Sequence, residues 1–311
     1  MREVIAIDNA TALTQLTQVK CGWITEVIWS PDGTMLAVAS ATGVRLYAGQ
    51  FGAQPTHQIA GHEGHVKGAA FSPDGTLLAT VAADMIVKLW DLSQIDAGIP
   101  LIADLFGHDD SVDVVRFSLD GRTLATGSAD GTIILWDIPA RRMRARLRGH
   151  EKEVSALTFA LDGSLIFSGA WDNQLRVWDT KAETEGAVFG EHMDWVREVT
   201  ANPPGTMIAS ASKDGTVRLW DVYDSGQTYA VIEAHANGAD CAAFSPDGSL
   251  LATGGRDNTV RLWSVHQLLS DGKASTRNAL AALQAHDKPV LSVAFNAAGT
   301  LLATGSGDNT I

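Results

Sequence analysis

Gly107 to Asp137 reads GHDDSVDVVRFSLDGRTLATGSADGTIILWD, and the fold is decided on this stretch. Three short runs, Val112 to Phe117, Thr123 to Gly127 and Thr132 to Ile138, alternate with the turns Leu119-Asp120-Gly121 and Asp130-Gly131. Runs of this length, rich in Val, Ile and Thr and bounded by turn residues, predict three antiparallel strands. Four polar or aromatic residues punctuate them: His108 at the head, Thr126, Asp130 and Trp136.

Outward from this stretch the pattern repeats along the chain. Turns at Pro31-Asp32-Gly33, Pro73-Asp74-Gly75, Leu161-Asp162-Gly163, Pro203-Pro204-Gly205, Pro246-Asp247-Gly248 and Ala297-Ala298-Gly299 join the one already named, making seven units. Six units carry a histidine 13 residues before the turn glycine: His62, His108, His150, His192, His235 and His286. An aspartate follows each histidine by 22 residues, at Asp84, Asp130, Asp172, Asp214, Asp257 and Asp308. Four residues before each aspartate stands a hydroxyl, at Thr80, Thr126, Ser168, Ser210, Thr253 and Thr304. Six residues beyond it comes tryptophan in five units, at Trp90, Trp136, Trp178, Trp220 and Trp263. Only the interval from tryptophan to the next histidine varies, running 18, 14, 14, 15 and 23 residues. Constant spacing is expected where strands are clamped between neighbours, whereas solvent-facing connections absorb insertions cheaply. The inner three strands of each unit are therefore rigid and the outer one loosely tethered.

Repeat units stack on one another and escape the usual size limit of a single hydrophobic core, so 311 residues are expected to form one domain over 1–311. Repeats are expected to begin near 19, 61, 107, 149, 191, 234 and 285. A hydrophobic content of 45% against 19% charged residues argues for an ordered chain. The formal charge of −13 makes nucleic acid a poor partner. Two cysteines, Cys21 and Cys241, are too few for a disulfide framework, which points to a reducing compartment and the cytoplasm. No signal-like apolar segment opens the chain, and no apolar run reaches the length of a membrane-spanning helix, so no membrane contact is expected. The chain is expected to be monomeric by itself.

The Gly-His pair, the Pro-Asp-Gly turn, the Ser/Thr-x-x-x-Asp and the closing Trp-Asp, as in Gly107-His108 through Trp136-Asp137, resemble the Trp-Asp-repeat (WD-repeat) β-propeller family over nearly the whole chain. The resemblance implies an all-β, seven-bladed propeller of four-stranded antiparallel blades. It also implies a buried network in which histidine links aspartate to the hydroxyl and the hydroxyl meets the indole. The seventh unit breaks off at Thr310-Ile311, and in such a family residues 1–18 would supply one or two closing strands to the last blade. Val4, Ile5, Ile7 and Asp8 resemble a third strand, and residues 11 to 18 an outer one. The first unit departs from the pattern: Val38, Thr42 and Tyr47 stand near the places of the hydroxyl, aspartate and tryptophan, so it should be the least tightly pinned. Ser264 replaces the aspartate after Trp263.

Histidine, serine and aspartate together raise the possibility of a hydrolase, since a hydroxyl activated by imidazole and oriented by carboxylate is a nucleophilic triad. Six equivalent sets, four of them with threonine, instead fit a structural role, and no Gly-x-Ser-x-Gly elbow is present. No catalytic residue, metal or cofactor is assigned. His57, His62, Glu63 and His65 lack the spacing of a metal site. A channel-mouth enzyme using Asp113, Asp240, Lys67 and Arg197, five residues beyond their histidines, is the less favoured alternative.

Three tryptophans have no place in the repeat: Trp23, Trp171 and Trp195. Their loops share one face, where Arg197, Lys213 and Arg256 lie nearby, a composition typical of an interaction hot spot. This face is expected to bind an acidic or aromatic-bearing segment of a partner protein, making the chain a non-enzymatic scaffold or adaptor. The alternative is a sensor module of a larger signalling protein with a kinase or NTPase effector. Arg142, Arg144, Arg146 and Arg148 alternate on an expected outer strand, as charges that protect a sheet edge or as a docking stripe. The insertion His266 to Arg277 is expected to project from the opposite face.

Overall fold

The structure, a computed structural model, describes residues 3–49, 54–223, 228–284 and 286–311. Residue 285, near which the seventh repeat is expected to start, lies outside them. Short apolar runs meet tight turns, so the chain advances as antiparallel meanders. The first sheet pairs β1 (Ile24–Trp29), β2 (Met35–Ser40), β3 (Gly43–Ala48) and β4 (His57–Ile59) in chain order. The second holds β5 (Val66–Phe71), β6 (Leu77–Ala82), β7 (Ile86–Asp91) and β8 (Leu101–Phe106). The third holds β9 (Val112–Phe117), β10 (Thr123–Ser128), β11 (Thr132–Asp137) and β12 (Arg142–Arg148). In the fourth come β13 (Val154–Phe159), β14 (Leu165–Ala170), β15 (Leu175–Asp179) and β16 (Thr184–Phe189), and in the fifth β17 (Val196–Ala201), β18 (Met207–Ser212), β19 (Thr216–Asp221) and β20 (Thr228–Glu233).

The sixth sheet is interrupted. After β21 (Ala239–Phe244), β22 (Leu250–Gly255) and β23 (Val260–Ser264), the chain forms a short helix, α1 (Val265–Asp271), and then β24 (Lys273–Ser275). β24 leaves for the fifth sheet and pairs in parallel with β20, before β25 (Ala281–Leu283) returns to β23. The insertion is thus docked against the neighbouring outer strand instead of projecting. Ser264 caps α1 by accepting the Gln267 amide, and Gly272 ends it in a left-handed conformation at φ +67°. Val265 and Leu268 bury one side of it.

β26 (Val290–Phe295) and β27 (Leu302–Ser306) make a two-stranded sheet. Among the described residues there are therefore six blades of four antiparallel strands, the fifth extended by β24, and the expectation of seven is corrected: the seventh unit is a hairpin between the sixth and first sheets. Closure by amino-terminal strands is corrected with it, since residues 3–18 form no strand. An outer strand pairs only along a third strand, and Asn309–Ile311 is all of that backbone the amino-terminal segment meets. Val19 and Ile311 exchange two backbone bonds at 2.9 and 3.0 Å, Cys21 donates to Asn309, and Lys20 bridges Thr310.

The core lies between neighbouring sheets. Trp136 of the third sheet packs with Ala79, Val81, Val87 and Leu89 of the second, and Trp263 of the sixth with Ala209, Val217 and Leu219 of the fifth. In the corresponding place beyond the sixth sheet, Ile5 and Ala10 are buried against Leu250, Ala252, Val260 and Leu262. The amino-terminal segment acts there as an apolar plug. A glycine at positive φ lets each first strand turn into the second; Gly121, at +69°, is an example, and the Asp120 carboxylate accepts the Arg122 amide across that turn.

Candidate functional site

In every unit but the first, the loop that enters the first strand brings a histidine under the turn between the second and third strands. In the third unit His108 Nδ1 lies 3.0 Å from Asp130 Oδ2, and its Nε2 lies 2.8 Å from Thr126 Oγ1. Trp136 Nε1 donates to that same hydroxyl at 2.9 Å. One proton assignment satisfies every group: Nδ1–H donates to the carboxylate, the hydroxyl donates to Nε2, and its oxygen accepts the indole N–H. The same geometry holds for His62, Thr80, Asp84 and Trp90, for His150, Ser168, Asp172 and Trp178, for His192, Ser210, Asp214 and Trp220, and for His235, Thr253, Asp257 and Trp263. His286, Thr304 and Asp308 make the first two bonds.

Burial by itself raises the carboxyls of Asp130, Asp214 and Asp257. The hydrogen bonds they accept, led by those from His108, His192 and His235, outweigh that and hold all three well below the usual carboxylate range. Thr126, Ser168, Ser210 and Thr253 are completely buried. A nucleophile must be reached by its substrate, so these hydroxyls are placed for structure.

The loop face is different. Trp171, at the turn between β14 and β15, and Trp195, ahead of β17, come from neighbouring sheets and stack with ring centres 3.9 Å apart and planes within 2°. Lys213 Nζ lies 3.9 Å from the Trp195 ring centre and 3.6 Å from Asp194, and the Arg197 guanidinium is 5.8 Å from Trp171. Arg197 and Arg256 share one carboxylate, their Nε atoms 3.3 and 3.1 Å from the two oxygens of Asp240. The structure thus gathers Trp171, Trp195, Arg197 and Lys213 directly, and Arg256 through Asp240. Trp23 lies outside the stack, in the loop entering the first sheet, with 56% of its surface exposed.

Next to the stack the rim is acidic. Asp113, at the start of β9, receives Lys67 Nζ at 3.6 Å and the Ser111 hydroxyl at 2.9 Å on Oδ1, while its buried Oδ2 has no hydrogen-bond partner. Burial raises its carboxyl despite Lys67. Glu153, in the loop before β13, is pushed up to about 7 by burial, with Asp113 adding to the effect and Lys67 and Arg197 opposing it. Trp171 Nε1 is also buried without a partner.

Deeper in the ring, Arg116 reaches across from β9 to Glu26 of β1 at 2.8 Å and Glu198 of β17 at 3.7 Å. These three border a cavity of about 340 Å³ lined by first strands and their turns. Burial pushes the Glu198 carboxyl up to about 7 against the pull of Arg116. The sequence reading missed this cluster. Its signal was available: Glu26 and Glu198 share a register in which the other units hold Gly68, Val114, Ala156, Cys241 and Ser292.

Of the arginine stripe, Arg144 donates to the Thr180 carbonyl and pairs with Glu183 at 3.2 Å, and Arg146 pairs with Asp109 at 2.8 Å. These two tie β12 to surrounding loops, leaving Arg142 and Arg148 as exposed ends. No group of metal-ligating residues and no helix able to cross a membrane occurs among the described residues.

Four-stranded meanders in sequence, stacked face to face and pinned by a repeated His–Asp–hydroxyl–Trp set, define a repeat β-propeller. The family model described as WD domain, G-beta repeat matches residues 53–91, 100–137, 141–179, 184–221, 226–264 and 277–311, and the chain belongs to this family. Five of the six matches close on a Trp-Asp or Trp-Ser pair, and β1 to β3, where the histidine, aspartate and tryptophan are missing, lie outside them all. The family's propellers are typically protein-interaction modules. Comparison with curated proteins returned no match.

Proposed function

We propose that this propeller is a non-enzymatic scaffold or adaptor that binds a segment of a partner protein across the loop face around Trp171 and Trp195. The observation that carries this reading is the stack itself: two partly buried indoles from different sheets, parallel at 3.9 Å, with Lys213 on the outer side. Indoles so placed offer a rigid apolar platform at little entropic cost, the chemistry of interface hot spots. Arg197 and Arg256 frame the platform, and Trp23 serves as a second contact point at the first sheet. The cations there are already neutralised by Asp194 and Asp240, which weakens the case for an acidic segment. Two free, buried cysteines fit a reducing compartment such as the cytoplasm.

Replacing Trp171 and Trp195 together by alanine should abolish capture of partners from a cell extract while the melting curve keeps its cooperative shape. Unchanged capture by a folded double variant would refute the reading.

A further inference from the structure

We infer that the partner segment inserts a basic side chain, lysine or arginine, into the rim beside the stack, where Asp113 and Glu153 receive it. The inference rests on the proposed binding face and names the chemistry of its occupant. Asp113 has a tenth of its side chain exposed, and its Oδ2 accepts no hydrogen bond although it is buried. A buried acceptor left unpaired is costly, and a cationic N–H donor would remove that cost.

Glu153 is the second acceptor. It sits in the loop before β13, within electrostatic reach of the carboxyls of Asp113 and Asp110 and of the cations Lys67 and Arg197. Those two cations are engaged elsewhere, Lys67 with Asp113 Oδ1 and Arg197 with Asp240. Burial raises its carboxyl to about 7 and Asp113 adds to the rise, so a cation placed against it would oppose both effects. The whole chain, at −13, attracts a basic segment over distance. The Trp171–Trp195 stack flanks this place, since the Trp171 amide donates to the Glu153 carbonyl at 2.9 Å. A basic side chain there meets the carboxyls of Asp113 and Glu153 beside the backbone that carries Trp171.

The test is selection of a random twelve-residue peptide display library on the folded full chain, followed by affinity measurement of the enriched peptides. Enriched peptides are expected to share a lysine or arginine, and replacing it by glutamine should weaken binding at least about tenfold. Asp113→Asn and Glu153→Gln should each weaken the same peptides, with circular dichroism unchanged. Because the cation favours ionised Glu153, affinity should rise as pH increases through about 7, and Glu153→Gln should flatten that rise. Peptides that lose binding in Trp195→Ala but tolerate glutamine and both carboxamide variants would overturn this inference and leave the proposed face standing. No enriched peptide, or binding indifferent to Trp171 and Trp195, would overturn both.

Discussion

The third and first units solve one packing problem with different chemistry. In the third, Trp136 fills the space toward the second sheet and its indole N–H is absorbed by Thr126, His108 and Asp130. In the first, Tyr47 fills the space toward the seventh unit, Val38 takes the place of the hydroxyl, and the Tyr47 hydroxyl lies 3.1 Å from Cys21 Sγ. Arg45 then bonds the Cys21 carbonyl and, at 3.3 Å, the Ser40 hydroxyl. Both aromatics are almost completely buried, at 1% for Trp136 and 2% for Tyr47. What the fold needs at this position is an aromatic body with a satisfied polar tip; the histidine network is one way of satisfying it. The difference lies in what a single loss exposes. Thr126 serves two partners at once, whereas the first unit has only one weak bond at the tip.

The largest effect should come from the amino-terminal plug, which packs on the sixth sheet and the seventh unit. Deleting residues 2–18 uncovers Leu250, Ala252, Val260 and Leu262, and removing buried Ile5 alone is worth roughly 2–4 kcal/mol. The melting temperature should fall by about 10 °C or more at the usual size scaling; an unchanged melting curve would show that the segment does not close the fold. Thr126→Val comes next. It orphans the Trp136 N–H and His108 Nε2 together, at roughly 1–3 kcal/mol each, so urea denaturation should show a loss of about 3 kcal/mol.

The pH profile sharpens the contrast between the pinned units and the cluster of Arg116, Glu26 and Glu198. Asp84, Asp130, Asp172, Asp214, Asp257 and Asp308 all have lowered carboxyls, so the stability they add is present above about pH 4 and lost as pH falls below it. Glu198 acts in the opposite sense. Folded at about 7 against a usual 4.5, it keeps a proton that the unfolded chain gives up, so its contribution falls as pH rises through that window. Glu198→Gln should flatten the decline between pH 4.5 and 7 in a series of thermal melts and leave the acid limb in place. The smallest effect belongs to the first unit. Tyr47→Phe removes one weak bond and should cost about 1 kcal/mol; a cost equal to that of Thr126→Val would erase the distinction between the two units.

Much of the repeat was legible because its residues are spaced by the geometry of paired strands. The sets headed by His62, His108, His150, His192, His235 and His286 lie at constant separations since neighbouring sheets tolerate no slippage. The count of complete blades was not legible. Seven turns predict seven meanders, but a blade also needs third and fourth strands, and residues 3–18 form no strand beside the last unit, whose Asn309–Ile311 pairs with residues 19–21. The helix Val265–Asp271 escaped notice because seven residues are too few to show a helical period, although its Ser264 cap and Gly272 stop were in view. Trp171 and Trp195 could be singled out as residues the repeat did not require. That they stack, while Trp23 lies apart, depends on which loops share a boundary between sheets.

The sequence by itself determined the unit: its strands, its turns, its buried pins and its family. Local spacing suffices for these, because each depends on residues of one meander, no further apart along the chain than His108 and Trp136. Only the tertiary structure decided what happens between units. Arg116 finds Glu26 and Glu198 across the ring, Asp240 draws Arg197 and Arg256 together, and Ile5 fills a space some 250 residues away. Such contacts follow from how the sheets close on one another, and no periodicity along the chain records that closure.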